Sequence, residues 1–274
     1  MQKIIATLTG TQSYSIYGKG EPILLLHGFA EDSRIWNEQV NFLKNNYQLI
    51  VPDLRGSGAS IIGSKPTSVE DFADDIKQIL DAENISTCIM LGHSMGGYIT
   101  LAFAEKYPAS LHAFGLIHSS AYADNKEKKE ARLKSISFLE EHDPFEFIKT
   151  TIPKLFAESF NQQHTKKVEE LVEQGKQFSK EALIAYYKAM INRPDRTQVL
   201  RKATMPVLFF IGEEDKAVNP QDAIEQSSLP LVCKVKLVKG IAHMGMLEAT
   251  DELNECIDEF IKTVQQLKKH TSLV

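Results

Sequence analysis

The sequence predicts an α/β protein: a mostly parallel sheet with helices on both faces and a helical segment inserted past its middle. Three observations predict it. Strand-length apolar runs alternate with segments of helical period through residues 22–117 and again from residue 206 onward, the pattern of strands joined by crossover helices. Several runs, such as Ile23-Leu24-Leu25-Leu26 and Val207-Leu208-Phe209-Phe210-Ile211, are continuously apolar rather than alternating, as strands covered on both faces must be. Between about residues 124 and 197 no strand-like run occurs and every periodic stretch is helical.

The elements follow in order. Residues 4–9 and 12–17 read as two strands turning at Gly10, an antiparallel hairpin at a sheet edge. Residues 22–26 form the first buried strand, which ends in the turn His27-Gly28-Phe29-Ala30. A helix over 33–45 carries Ile35, Trp36, Val40 and Leu43 on one face, with Ser33 as its N-cap. Strand 47–51 leads into the glycine-rich loop Pro52-Asp53-Leu54-Arg55-Gly56-Ser57-Gly58-Ala59-Ser60, helix 69–82 and strand 87–91. Helix 98–106 and strand 113–117 complete the first half, ending at His118-Ser119-Ser120. In the insert, helical stretches run through Ala131, Ile136 and Leu139, open at Asp143-Pro144 with proline in the first turn, cover 168–172, and open again at Ser179. An insert between two parallel strands must pack on the loop end of the sheet and cover whatever the loops build. Strand 206–211, helix 220–226, strand 233–238 and an amphipathic helix over 247–267 close the chain.

Composition excludes several functions. The 274 residues are 43% hydrophobic and 24% charged with a net charge of −5, an ordinary globular balance without the basic footprint of a nucleic-acid or anionic-membrane binder. No apolar run approaches the roughly 20 residues of a membrane span, and the N-terminus lacks the order of a signal peptide. The expected location is therefore cytoplasmic and the expected oligomeric state monomer or homodimer. Cys88, Cys233 and Cys256 read as small buried side chains rather than a disulfide framework, and the eight histidines form no ligand-spaced pair. No metal and no cofactor are expected.

The chemistry concentrates at Gly92-His93-Ser94-Met95-Gly96, a G-x-S-x-G motif between a strand and a helix. In that setting the serine sits on a strained turn, with its hydroxyl exposed at the positive end of the following helix. Ser94 is the candidate nucleophile. Loops at the carboxyl ends of parallel strands form sites; Asp215 follows one such strand and His243 the next, giving the chain order serine, acid, histidine. A serine hydroxyl needs a base, and the base needs a buried carboxylate to fix its tautomer. The backbone N–H groups of Met95 and Phe29 are the candidate donors to an oxyanion.

With these parts in place the chain resembles a capped, esterase-like α/β-hydrolase. The resemblance is carried by His27-Gly28-Phe29, Asp53-Leu54-Arg55-Gly56-Ser57-Gly58-Ala59-Ser60, Gly92-His93-Ser94-Met95-Gly96-Gly97, Gly212-Glu213-Glu214-Asp215 and Ala242-His243 with Glu248. It implies an eight-stranded α/β-hydrolase core over 1–120 and 201–274, a helical cap over 121–200, a Ser94, Asp215, His243 triad and an oxyanion hole at Phe29 and Met95. Serine at position 94 separates the chain from the dehalogenases and epoxide hydrolases of this fold, which use aspartate. His27-Gly28-Phe29-Ala30 differs from the loop of proline iminopeptidases. Glu31 and Asp32 stand where carbon–carbon hydrolases usually have glycine and proline. The implied reaction is hydrolysis of a small to medium carboxylic ester or amide through an acyl-enzyme, with a small-molecule substrate as partner. The alternatives are a lyase-type reaction on the same triad, or a ligand sensor that turns over slowly.

Other residues invite functional readings that structural ones outweigh. Asp215 is preferred to Glu213 and Glu214 as the triad acid for its place and short side chain. His93 is expected to pack below the turn, His27 to shape the oxyanion loop, and His118 to line the pocket or pack on the cap. Asp53, Arg55 and Glu248 are read as loop braces, and the charged run 126–134 as a solvated helix face. Among the insert's aromatics and Met190, mostly lid core, Phe156 and Tyr186 are taken as substrate contacts together with Phe29 and Met95.

Overall fold

The computed structural model describes residues 1–7, 10–63 and 67–271. Eight strands form one sheet in the order β1-β2-β4-β3-β5-β6-β7-β8, with β1 Gln2–Thr7, β2 Gly10–Tyr17, β3 Pro22–Leu26, β4 Gln48–Pro52, β5 Cys88–His93, β6 Leu111–Ile117, β7 Val207–Gly212 and β8 Cys233–Val238. β1 pairs with β2 and β2 with β4 antiparallel, and every other pairing is parallel. The predicted edge hairpin is present; the expected extension of its first strand through Leu8 and Thr9 lies outside the described residues.

Burial follows the sequence pattern. β5 and β7 are buried at every position, as continuous apolar runs require, whereas the edge strand β8 leaves Val235 and Leu237 exposed. Helices α1 Asn37–Leu43, α2 Val69–Ala82 and α3 Met95–Lys106 follow β3, β4 and β5. Ser68 caps α2 in a reciprocal box with Asp71, satisfying two of the first turn's free donors. The stretch predicted as one helix from Ser33 opens as a 3-10 turn, Ser33–Trp36, and its N-cap is Asp32, which accepts from the Arg34 N–H.

Between β6 and β7 the chain is helical: α4 Lys126–Glu141, α5 Pro144–Thr151, α6 Glu158–Gln163, α7 Thr165–Gln174, α8 Lys180–Asn192 and α9 Thr197–Lys202. Asp143 and Ser179 cap α5 and α8 as the sequence indicates. α6 and α9 were not predicted; at six residues each they are too short to display a helical period. After β7 come α10 Pro220–Ser227 and, beyond β8, α11 Gly245–Glu248 and α12 Thr250–Thr271, which divide the single final helix expected from sequence. Among the described residues no helix is long and apolar enough to cross a membrane.

The strand order reverses at β3: β4 lies on one side of it and β5 on the other. Loops leaving β3 and β5 therefore diverge at the carboxyl edge and open a crevice there, the usual position of a site in such sheets.

Candidate active site

β5 ends at His93 and α3 begins at Met95, so Ser94 alone makes the turn. Its backbone lies at φ 51°, ψ −114°, a region a serine occupies only where its surroundings enforce it. The Ser94 N–H donates to the Ile117 carbonyl at 2.9 Å, and its own carbonyl accepts from Gly97 N at 2.9 Å and from Ser119 Oγ at 2.7 Å. Glycine is required where strand and helix nearly touch: a Cβ on Gly92 would sit 2.2 Å from the Gly96 carbonyl oxygen.

His243, in the loop after β8, shares with Ser94 and Phe29 the wall of a cavity of about 280 Å³. Behind His243 lies Asp215, whose Oδ2 is 2.8 Å from His243 Nδ1 while its Oδ1 accepts from Ala217 N at 2.8 Å and Val218 N at 2.9 Å. Both side chains are buried. With Nδ1–H donated to the carboxylate, His243 Nε2 is left as an acceptor, the tautomer a general base needs. Burial opposes ionisation of Asp215, but the His243 and His118 imidazoles outweigh it and hold its carboxyl well below the usual range. Glu213 and Glu214 are exposed, so the geometry favours Asp215 among the three acids.

The two candidate oxyanion donors are braced by their neighbours. His27 Nε2 accepts from Leu54 N at 2.9 Å, which leaves Nδ1 to donate to the Gly28 carbonyl at 2.9 Å. In the trans peptide that follows, the Phe29 N–H is antiparallel to that carbonyl and so turns away from His27. Ser119 fixes the Ser94 carbonyl, and with it the Met95 N–H, in the same manner. Among the described residues, no hydrogen bond is made by either N–H.

His93 is fully buried beneath the turn. Its Nδ1 lies 2.9 Å from Glu31 Oε2 and its Nε2 2.9 Å from the His243 carbonyl. Both partners are acceptors, so both ring nitrogens carry protons and His93 is an imidazolium. Burial alone would depress its pKa; the Glu31 carboxylate reverses that and raises it, while Glu31, burial notwithstanding, is lowered by His93. Glu31 Oε2 also accepts from Gly28 N at 2.7 Å. This one ion pair thus ties the loop after β3, the Ser94 turn and the His243 loop together. The sequence reading missed Glu31. Its position four residues after His27 was legible, but its pairing with His93, 62 residues away, was not.

The other residues singled out from sequence resolve as follows. Asp53 braces its loop by accepting from Ser33 N at 3.0 Å and Ala59 N at 3.1 Å, and Arg55 forms a buried pair with Asp75 at 2.6 Å. Glu248 accepts from Ala157, Ala242 and Met244 N–H groups, anchoring the His243 loop to the insert. His118 does not line the cavity. It is buried with Nδ1 3.4 Å from Asp215 Oδ2 and Nε2 close to Gly245, and burial lowers its pKa to about 4, so it is neutral.

Of the expected substrate contacts, Phe29 lines the cavity and Met95 does not; the Met95 side chain is buried, which leaves its N–H as the group able to serve. Phe156 and Tyr186 do not line the cavity either. Phe156 stacks on Phe160 at 5.3 Å, and Tyr186 turns inward to donate its hydroxyl to the Arg55 carbonyl at 2.8 Å. Their chain neighbours Leu155 and Tyr187 face the cavity, with Met190 one helical turn beyond Tyr187; adjacent helical residues point about 100° apart, so only one of a Tyr-Tyr pair can. A correction concerns the run 126–134. Lys128, Ala131, Arg132 and Ser135 of α4 line the cavity rather than all facing solvent. Their i, i+3, i+4, i+7 spacing was legible, but the charges disguised it as a surface face.

Among the described residues, His118, Asp215 and His243 are grouped with metal-ligand spacing, their ligand atoms within 4.8 Å. Asp215 Oδ1 is engaged by two backbone donors and Oδ2 by His243. That set suits proton transfer better than metal binding.

Comparison with known proteins gives a consistent picture. Residues 21–140 match the family model described as alpha/beta hydrolase fold. Lipase 1 of Psychrobacter immobilis is 26% identical over 85% of this chain and 74% of its own length. The 3-oxoadipate enol-lactonase 1 of Acinetobacter baylyi is 24% identical over 89% of both chains. Among solved structures, a thermophilic esterase from Thermogutta terrifontis, studied with malate bound, superposes with a TM-score of 0.91 at 27% identity, covering 96% of this chain and 99% of that one.

Proposed function

Because the chain belongs to the α/β-hydrolase superfamily, we propose that it is a serine hydrolase that cleaves a small to medium carboxylic ester through an acyl-enzyme on Ser94. The observation that carries this reading is the 2.8 Å His243–Asp215 contact behind a cavity that Ser94 and His243 line together. The lipase, lactonase and esterase among its relatives support ester chemistry.

In this mechanism His243 Nε2 takes the Ser94 proton as Oγ attacks the carbonyl carbon. The Phe29 and Met95 N–H groups, which have no other partner among the described residues, stabilise the oxyanion without reorganisation. His243 then gives its proton to the leaving alcohol, and a water activated by His243 releases the acid. Residues 121–200 act as a cap: α4, α8 and the Ile152–Leu155 turn supply the wall that faces Ser94 and limits substrate size.

The test is hydrolysis of 4-nitrophenyl acetate and butyrate by wild type and Ser94→Ala. Ser94→Ala is expected to lose about 10⁴-fold or more in kcat with an unchanged circular dichroism spectrum. Equal rates for the two proteins would remove Ser94 from the reaction.

A further inference from the structure

The charges on the cavity wall do not cancel. Lys128, Arg132 and Lys216 line it, and the carboxylate that lines it, Glu31, is occupied by His93 and the Gly28 N–H. Asp124 sits between two guanidiniums: its Oδ2 is 2.7 Å from Arg132 Nε and its Oδ1 is 3.0 Å from an Arg193 terminal nitrogen. One carboxylate for two arginines leaves a positive charge over. Arg193 is sealed under Tyr98, and its two terminal nitrogens donate to the Met190 and Tyr122 carbonyls. The accessible share of that charge therefore lies on Arg132, whose side chain is 18% exposed against 4% for Arg193. Among the described residues, a terminal nitrogen of Arg132 donates to the Met190 sulfur at 3.1 Å, a weak acceptor that a carboxylate would readily replace.

Arg132 is also well placed relative to the reacting centre. Phe29 packs on Tyr187 at 4.4 Å between ring centres, and the guanidinium lies 5.7 Å from the centre of that same tyrosine ring. One aromatic ring thus touches both the candidate oxyanion loop and the cation. Lys128, which reaches across to the Ala217 carbonyl at 3.1 Å, and the exposed Lys216 add positive charge on the neighbouring wall.

We propose that the cavity takes an ester whose acyl chain ends in a carboxylate, a short dicarboxylic half-ester, with Arg132 as the residue that selects it. The proposal rests on the hydrolase reading and names its substrate class. Without such a cation, an apolar pocket disfavours a carboxylate strongly, because desolvation is uncompensated. With it, a charge-assisted pair favours the carboxylate by roughly 10- to 100-fold in kcat/KM.

The experiment compares monomethyl glutarate with methyl pentanoate, in which a methyl group replaces the carboxylate, by product chromatography for wild type, Arg132→Gln and Arg132→Lys. Wild type is expected to prefer the half-ester at least tenfold at low ionic strength, with the preference shrinking as salt is added. Arg132→Gln should cut the ratio of the two kcat/KM values by tenfold or more, and Arg132→Lys should restore part of it. A wild-type ratio of one or less, or a ratio that Arg132→Gln does not move, overturns the proposal. If neither ester is cleaved, the hydrolase reading is judged separately by hydrolysis of 4-nitrophenyl butyrate, and the subsite by thermal melting with added glutarate. A rise in Tm for wild type that Arg132→Gln abolishes then supports it, and no rise overturns it.

Discussion

Replacing Asp215 by asparagine keeps the side chain's shape, and the structure dictates which way the new amide must lie. Oδ1 accepts from Ala217 N at 2.8 Å and Val218 N at 2.9 Å, so an NH2 group there would face two donors. The amide carbonyl stays on that side and the NH2 takes the Oδ2 place, 2.8 Å from His243 Nδ1. An NH2 only donates, so His243 must accept at Nδ1 and carry its proton on Nε2. That tautomer cannot take a proton from Ser94. Flipping the amide would restore the working tautomer but strand the buried Val218 N–H and the part-buried Ala217 N–H, a penalty of roughly 2–6 kcal/mol in total. Loss of the carboxylate also removes stabilisation of the imidazolium. Asp215→Asn should therefore lower kcat by about 10³- to 10⁴-fold with little change in KM. Glu213→Gln and Glu214→Gln, which alter exposed acids of the same loop, should each stay within about twofold on the surface-substitution argument. Hydrolysis of 4-nitrophenyl butyrate near pH 7.5, with thermal melts as a fold control, reads all three. An Asp215→Asn enzyme within tenfold of wild type would refute the reasoning, as would an equal loss in either glutamate variant.

Glu31→Gln leaves His93 buried without its counter-ion and slackens three loops at once. Breaking such a pair costs about 3–5 kcal/mol, part of which His93 escapes by losing its proton, so a Tm drop of roughly 5–10 °C and at least a tenfold fall in kcat/KM are expected. Unchanged Tm and rate would contradict the bracing role. The pH dependence follows from the shifts: the Glu31 contribution is lost as pH falls through its lowered value, and that of His93 is lost as pH rises through its raised value. The stability gap between wild type and Glu31→Gln should thus be widest between the ordinary values of 4.5 and 6.5 and narrow on either side, measured by urea unfolding across pH. His118 acts with the opposite sign for a histidine. Its folded pKa of about 4 lies below the unfolded 6.5, so the unfolded chain binds the proton first and stability falls as pH drops through that interval. The loss is on the order of 3 kcal/mol, and His118→Asn should flatten that part of the urea-derived profile; an unaltered slope would show that His118 is not its source.

Much of this arrangement could be read from the chain. The chain order of the candidate residues, Ser94 then Asp215 then His243, follows from motifs whose residue types have few other uses. The apolar runs of β3, β5 and β7 fix a parallel sheet because only two-sided cover tolerates them. Less legible were features that depend on distant partners. Nothing local marks Glu31 as the counter-ion of His93, 62 residues away, and nothing in Tyr186-Tyr187 says which ring turns to the cavity, since helix phase is set by what α8 packs against. The charged face of α4 was misread because isolated lysines and arginines nearly always face solvent. Here the insert closes over the sheet and makes part of that face a wall. The short helices α6 and α9 offered too few residues for a period to register.

The central claim is a covalent bond between an acyl group and Ser94. Rapid mixing with 4-nitrophenyl butyrate, acid quenching within the first turnover and peptide mass spectrometry test it directly. The account predicts one butyryl group per chain, on the peptide containing Ser94 and absent from Ser94→Ala. Turnover that proceeds with the acyl group on another residue, or persists in Ser94→Ala, would contradict it.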